Sequence, residues 1–209
     1  MSMSGSNRGL RVELDEAGER RYDDEETATR KNIEEEGTRD STPRVDCPGD
    51  HLGVRSRPYL MKILDKQGDK NIVFVDKVLK FTSSGKMKQR ILIITDCAIY
   101  LVDPESDVLK RRVALAAVDK LCLSKLSDHF IAIIIPTEYD ILLASTRKTE
   151  ILSCIVDTTK SVSNYDLEVF HSNRFEYNAT AEKVKGVTFE EIEGCVKTRI
   201  VQNGTMHKT

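Results

Sequence analysis

The chain has 209 residues, 39% of them hydrophobic, with no tryptophan and a formal charge of −2, a length and composition that set one domain with a tail as the expectation. No positively charged start precedes an apolar core near Met1, and no apolar run approaches the roughly eighteen residues of a membrane helix, so neither a signal peptide nor a membrane span is read. The five cysteines, at 47, 97, 122, 154 and 195, are odd in number and widely spaced, which points to reduced core thiols rather than disulfides or a metal site.

Charge is unevenly distributed. Residues 1–50 hold 14 acidic and 8 basic side chains, against 20 acidic and 24 basic over 51–209, so the small net charge conceals a tail near −6 and a body near +4. Apolar residues in the tail are too sparse to offset the entropy of ordering, and 46–58 carries Pro and Gly punctuation. Residues 1–56 therefore read as a disordered acidic tail and linker, with Asp23–Glu26 and Glu34–Glu36 as the stretches that resemble helix starts. The charge difference would let this tail fold back over a basic surface of the body.

The body starts near Arg57-Pro58-Tyr59-Leu60. Residues 59–65 fit either a short helix or an extended lead-in. From Ile72 onward, short β-rich runs alternate with turn signals about every ten residues, as in an antiparallel barrel or sandwich. Strands are expected at 72–81, 90–95, 98–102, 108–113, 121–124, 130–135 and 141–144. Ser145-Thr146 is a good N-cap, after which Ile151, Leu152, Ile155, Val156, Thr159 and Val162 recur at helical spacing. That amphipathic helix is expected to cover an open end of the barrel. Residues 167–170 and 174–177 read as a further hairpin about His171-Ser172-Asn173, followed by strands at 187–189 and 195–201 and a fraying end at 203–209.

No catalytic constellation accompanies these elements. His51, His129, His171 and His207 lie far apart, and there is no His-x-x-x-His, Gly-x-Ser-x-Gly, phosphate-binding Gly-x-x-x-x-Gly-Lys or paired cysteine motif. Asp128-His129 sits at a strand start, where an Asp turn followed by an exposed His is the common structural outcome. The chain reads as a non-enzyme without a cofactor or metal.

The stretch 77–103, KVLKFTSSGKMKQRILIITDCAIYLVD, carries the strongest functional signal. No carboxylate falls between Asp76 and Asp96, while Lys77, Lys80, Lys86, Lys88 and Arg90 crowd about the Thr-Ser-Ser-Gly turn at 82–85. Lys80, Lys86, Lys88 and Arg90 are all even-numbered, as are Leu92 and Ile94 further inward. On a two-stranded hairpin this parity gathers four cations on one face, above a core of leucine and isoleucine. Arginine beside flexible ammonium groups suits a ligand with several phosphates close together. Lys77, Lys110 and Arg112 are candidate accessory cations, with Arg111 on the other face of its strand. Nucleic acid is disfavoured, because Phe81 is the hairpin's single aromatic and base stacking calls for several. Without a specific ligand the same residues also fit a solvated hairpin whose lysines block edge pairing.

Residues 57 to about 202 resemble the tail homology 1 domain of class I myosins. The likeness rests on Arg57-Pro58-Tyr59-Leu60, on KVLKF and GKMKQRILIITDCAIYLVDP, on LKRRVALAAVDKLCLSKLSDHF, and on ILLASTRKTEIL leading into the helix. It implies a pleckstrin-homology-like fold, two bent antiparallel sheets closed by a C-terminal helix with extra strands, and binding to anionic phospholipids, phosphoinositides in particular. In the family the head-group contacts come from a basic residue ending the first barrel strand and a basic pattern entering the second. Lys80 fits the first position, and Lys86, Lys88 and Arg90 fit the second. No motor, phosphate-binding loop or light-chain helix precedes residue 57. The expectation is a stand-alone, non-catalytic adaptor, cytoplasmic and peripheral at the cytoplasmic face of a membrane. The alternative is a protein-interaction module with the same fold that links a cytoskeletal partner and takes no lipid.

Overall fold

A computed structural model describes residues 12–13, 47–163 and 165–205, with side chains over 47–163 and 165–202. The helix starts read at 23–26 and 34–36 and the end at 206–209 lie outside the described residues.

Hydrophobic alternation sets the main sheet. Along Ile72–Phe81 (β2), Phe74 and Val78 face one way and Val75 the other, and Met87–Thr95 (β3) divides Leu92 and Ile94 from Ile91 and Ile93 in the same manner. The two strands pair from Ile72↔Thr95 to Phe81↔Met87. Ala98–Val102 (β4) and Leu109–Ala114 (β5) continue the antiparallel meander on one side. On the other side β2 pairs only through Leu79 and Lys80 with Ile141–Ala144 (β8), which leads to Phe130–Ile134 (β7), Lys120–Leu123 (β6) and Glu168–His171 (β9). The order is β5-β4-β3-β2-β8-β7-β6-β9. Because β2 shares its full length with β3 and only its end with β8, the sheet turns a corner there. Both halves feed one core that includes Val78, Leu92, Ile94, Leu101, Ile131 and Leu143.

Helix α2 (Lys148–Ser163) lays Ile151 and Ile155 against this core, contacting β2 and the 3-10 turn at Leu115–Ala117. This is the expected barrel-covering role, with one correction. The buried positions are Ile151, Ile155, Thr158 and Thr159, and Val162 is 61% exposed, because it follows the last turn that meets the barrel.

The outer face of β2–β4 is covered from the N-terminal side. Helix α1 (Pro58–Gln67) starts on Pro58, a good first helical residue, and buries Leu60 and Leu64 one turn apart against Val75, Ile91, Ile93 and Tyr100. The segment before it, read from the sequence as linker, is packed. Gly49 lies so close to the β2 backbone that a Cβ would meet the Val73 carbonyl at 2.3 Å, and Val75 N–H donates to the Gly49 carbonyl at 2.8 Å. Asp50 caps the following 3-10 turn by accepting from Leu52 and Val54 N–H, and His51 reaches Glu150 of α2 at 2.7 Å. Residues 47–56 thus pack against β2 and α2, ahead of the boundary expected at 57.

A second sheet, Arg174–Asn178 (β10), Lys183–Ile192 (β11) and Cys195–Thr205 (β12), with Val12–Glu13 (β1) parallel to β12 at its edge, packs Phe175, Tyr177, Val187 and Phe189 against Phe81, Phe130 and Leu142. The expected 167–177 hairpin does not form. β9 runs parallel to β6 in the main sheet while β10 joins the second. Ser172 and Asn173 make the crossing: Ser172 N–H donates to the Leu123 carbonyl at 2.8 Å and Phe189 N–H to the Asn173 carbonyl at 2.8 Å. None of the five cysteines is paired, but only Cys122 is fully buried, and Cys97 and Cys195 are exposed at hairpin turns.

Candidate functional site

The β2–β3 turn is closed by Thr82. Its N–H donates to the Lys86 carbonyl at 2.9 Å, its Oγ1 accepts from Lys86 N–H at 3.1 Å, and Gly85 at φ 85 supplies the left-handed residue such a turn requires. This closure fixes register: Lys80 stands opposite Lys88 and Val78 opposite Arg90. The parity argument therefore holds for Lys80, Lys88 and Arg90, which lie on the face that continues as Val78, Leu92 and Ile94 into the barrel core. Lys86 occupies the turn itself, exposed.

The cations are not equivalent. Lys80 is half-buried, and burial, followed by the charges of Arg111 and Arg90, brings its ammonium down to about 8. Its Nζ lies 5.5 Å from the Tyr139 ring centroid. Arg90 ion-pairs with Asp103 at 3.3 Å, and Lys110 approaches the same carboxylate at 4.0 Å. The hairpin is free of carboxylates in sequence, but the β4–β5 turn supplies one. Burial works to raise the Asp103 carboxyl. The Glu105 N–H, Arg90, Lys110 and the Ser106 N–H outweigh it and hold the group below the usual aspartate range.

The accessory candidates separate. Lys77 pairs with Ile91 and is exposed on the outer face, away from the barrel mouth. Arg112 is structural: it donates to the Tyr100 hydroxyl at 3.0 Å and to Asp69 at 3.1 Å, while Tyr100 itself donates to Asp69. Arg111 takes the place at the mouth. It is buried, packs 3.7 Å from the Tyr139 ring centroid, and donates to Glu138 at 3.1 Å and to the Tyr139 carbonyl, clamping the β7–β8 loop over Lys80. Sequence parity already separated Arg111 from its neighbours, and the signal that marks its face is Val113, a core residue two positions on.

Asp128 and His129 have separate surroundings. Asp128 is buried, accepts from Phe130 N–H at 2.7 Å, from Lys148 at 3.1 Å and from Ser124, while His129 is exposed. Among the described residues no group of three or more His, Cys, Asp or Glu is placed to hold a metal, and no helix is long and apolar enough to cross a membrane.

A curled antiparallel sheet covered by a C-terminal helix, with cations at the lip of its longest hairpin, is a pleckstrin-homology-like module. The chain belongs to the unconventional myosin tail family, described as actin- and lipid-binding, whose model matches residues 48–209. It is 29% identical over 157 residues to the myosin ID heavy chain of Dictyostelium discoideum, covering 69% of this chain and 14% of that one. It is 31% identical over 139 residues to the myosin IB heavy chain of the same organism, covering 64% and 12%. The match thus spans about a seventh or less of these relatives' own length. Among solved structures, the hSac2 domain from human phosphoinositide phosphatase Sac2 superposes with a TM-score of 0.42 at 15% identity, over 58% of this chain and 90% of that domain.

Proposed function

We propose that this domain docks on anionic phospholipid surfaces, phosphoinositides in particular, through the basic mouth formed by Lys80, Lys86, Lys88 and Arg90, with no catalytic step. The observation that carries the reading is Lys80: a half-buried ammonium held beside Arg111 and Arg90, whose charge is disfavoured until an anion arrives. Directly opposed lysines at Lys80↔Lys88 add to the same demand. Membership of a family described as lipid-binding supports it. Exposed cations near a charged membrane contribute roughly 1 kcal/mol each, so the exposed lysines alone give weak, salt-sensitive attachment, and a multiply charged head group reaching Lys80 supplies the remainder. Peripheral attachment at a cytoplasmic leaflet follows from this reading.

Vesicle sedimentation tests it. The wild type should pellet with phosphoinositide vesicles, and the Lys80→Ala/Arg90→Ala double variant should not; equal pelleting removes the assigned site.

A second reading, a protein-binding module for a cytoskeletal partner, draws on the same family description, which names actin. Saturable co-pelleting with actin filaments that survives the double substitution would support it.

A further inference from the structure

Away from the basic mouth, the lead-in to the domain is wedged between β2 and helix α2. β8 meets β2 only at Leu79 and Lys80, which leaves the earlier part of that β2 edge to other cover. The lead-in supplies it. Asp50 bridges to Val75 in parallel, His51 N–H donates to the Val75 carbonyl at 2.9 Å, and Val75 N–H donates to the Gly49 carbonyl at 2.8 Å. Further back, the Cys47 thiol donates to the Val73 carbonyl at 3.2 Å, so the lead-in follows β2 from Val73 to Val75.

Helix α2 closes this seam from the other side and steps down it residue by residue. Arg147 pairs with Asp76 at 3.1 Å, and Glu150 meets His51 at 2.7 Å. Cys154 lies one turn beyond Glu150 on the same side of the helix, because residues four apart are neighbours on a helix surface. It is half-buried and packs against the core that contains Phe74, whose ring His51 also touches at a centroid distance of 5.6 Å. Positions 147 and 150 meet Asp76 and then His51, so position 154 is carried to the start of the lead-in, where Cys47 sits against Val73. The electrostatics agree: burial first, then Glu150, Cys47 and Asp157, hold the Cys154 thiol above its ordinary range, so the two sulfurs act on one another. The other cysteines have different surroundings, Cys97 and Cys195 exposed at hairpin turns and Cys122 buried in β6.

We propose that Cys47 and Cys154 are a redox pair, reduced at rest, whose disulfide latches the lead-in to α2 under oxidation by peroxide. The Cys47 thiolate attacks one peroxide oxygen, the O–O bond breaks, and a sulfenic acid and hydroxide result. The Cys154 sulfur then attacks the sulfenic sulfur, forming the S–S bond and expelling hydroxide, which takes the Cys154 proton to leave as water. Two thiols thus lose two electrons and two protons, and one peroxide becomes two waters. The raised Cys154 thiol suits this second step, because the thiolate is the species that meets the oxidant first and Cys154 forms it less readily. The latch holds the cover of the β2 edge in place, and by closing a long loop it stabilises the fold. A dithiol reductant reverses it.

The test uses the full chain, treated with hydrogen peroxide, alkylated with iodoacetamide and digested for mass spectrometry, with amide exchange and thermal melts on the same samples. The expected result is a cross-linked peptide joining Cys47 to Cys154 in the monomer, with the other three cysteines alkylated. The His51 and Val75 amides, which tie the lead-in to β2, should exchange about tenfold more slowly in the oxidised protein. Its melting temperature should rise by about 5 °C or more, and dithiothreitol should undo all three changes. Cys154→Ser should abolish them, whereas the Cys97→Ser/Cys195→Ser double variant should keep them. Absence of the 47–154 cross-link in the wild type overturns the proposal, as does a cross-link that leaves the His51 and Val75 amides exchanging at the reduced rate.

Discussion

Lys80 and Lys88 stand directly opposite one another across the β2–β3 ladder, on the face that leads into the barrel core. Like charges in a cross-strand pair destabilise a hairpin, and here one of them is also half-buried beside Arg111 and Arg90. Local stability is given up at the place where an anion is proposed to bind.

Lys80→Met should therefore stabilise the free protein while abolishing its response to anions. The ammonium's drop to about 8, discounted for solvent screening, corresponds to roughly 1 kcal/mol, or a rise in melting temperature of about 3 °C. Thermal melts with and without inositol trisphosphate check both halves: the variant should melt higher alone, and the ligand should no longer raise its melting temperature.

The same group gives a pH dependence of binding. Lys80 must be protonated to hold a phosphate, and in the free protein it loses its proton near pH 8. Binding should take up close to one proton above that pH, with affinity level below about 7.5 and falling as pH rises through 8 to 10. Calorimetric titration in buffers of different ionisation enthalpy measures that uptake; affinity independent of pH over this range would remove Lys80 from the site.

Asp103 restrains Arg90, so Asp103→Asn should strengthen vesicle binding several-fold at low salt and weaken the fold. Its carboxyl is held below the usual range, so its contribution is present above about pH 4 and lost as pH falls below that. Urea unfolding should show a loss of about 1 kcal/mol at pH 7 that shrinks as pH falls below about 4.

Arg111 is a clamp. Replacing it with Met leaves the Tyr139 and Asp140 carbonyls without their donor and should cost about 2–4 kcal/mol in urea unfolding. Arg111→Lys should not restore this, because a single ammonium lacks the planar fork whose Nη2 donates to Glu138 and the Tyr139 carbonyl while Nη1 donates to the Asp140 carbonyl.

On the opposite face, Tyr100 is pushed up to about 12 by burial and by its hydrogen bond to Asp69. The folded state keeps that proton where the unfolded chain has lost it, so stability should be full below pH 10 and decline between 10 and 12. Tyr177, whose hydroxyl burial also raises, adds a second decline. Unfolding free energies of Tyr100→Phe and Tyr177→Phe at pH 8 to 11 should each show a flatter alkaline limb than the wild type.

The even–odd alternation of β2 and β3 was legible in the sequence because their register is local, set by a five-residue turn whose Thr and Gly announce it. The helical stripe at Ile151 and Ile155 was legible for the same reason. What escaped depends on partners distant along the chain. Arg90 meets Asp103 and Arg111 meets the 138–140 loop through strand neighbours that no period-2 count reveals. Ser172-Asn173 has hairpin chemistry, yet β9 finds its partner in β6, 48 residues back at Leu121↔Val169. The packing of 47–57 rests on the close approach of Gly49 to Val73, which is a contact of the fold rather than a pattern in the sequence.

The central claim, that the face of the cations matters and not merely their number, is tested most directly by a charge-matched pair of variants on phosphoinositide vesicles. Lys80→Met/Lys88→Met removes two charges from the mouth, and Lys62→Met/Lys77→Met removes two exposed lysines, one on α1 and one on the outer face of β2. Measured by sedimentation at physiological ionic strength, the first should lose at least tenfold in affinity and the second less than twofold. Equal losses in the two variants, or none in the first, would contradict the account.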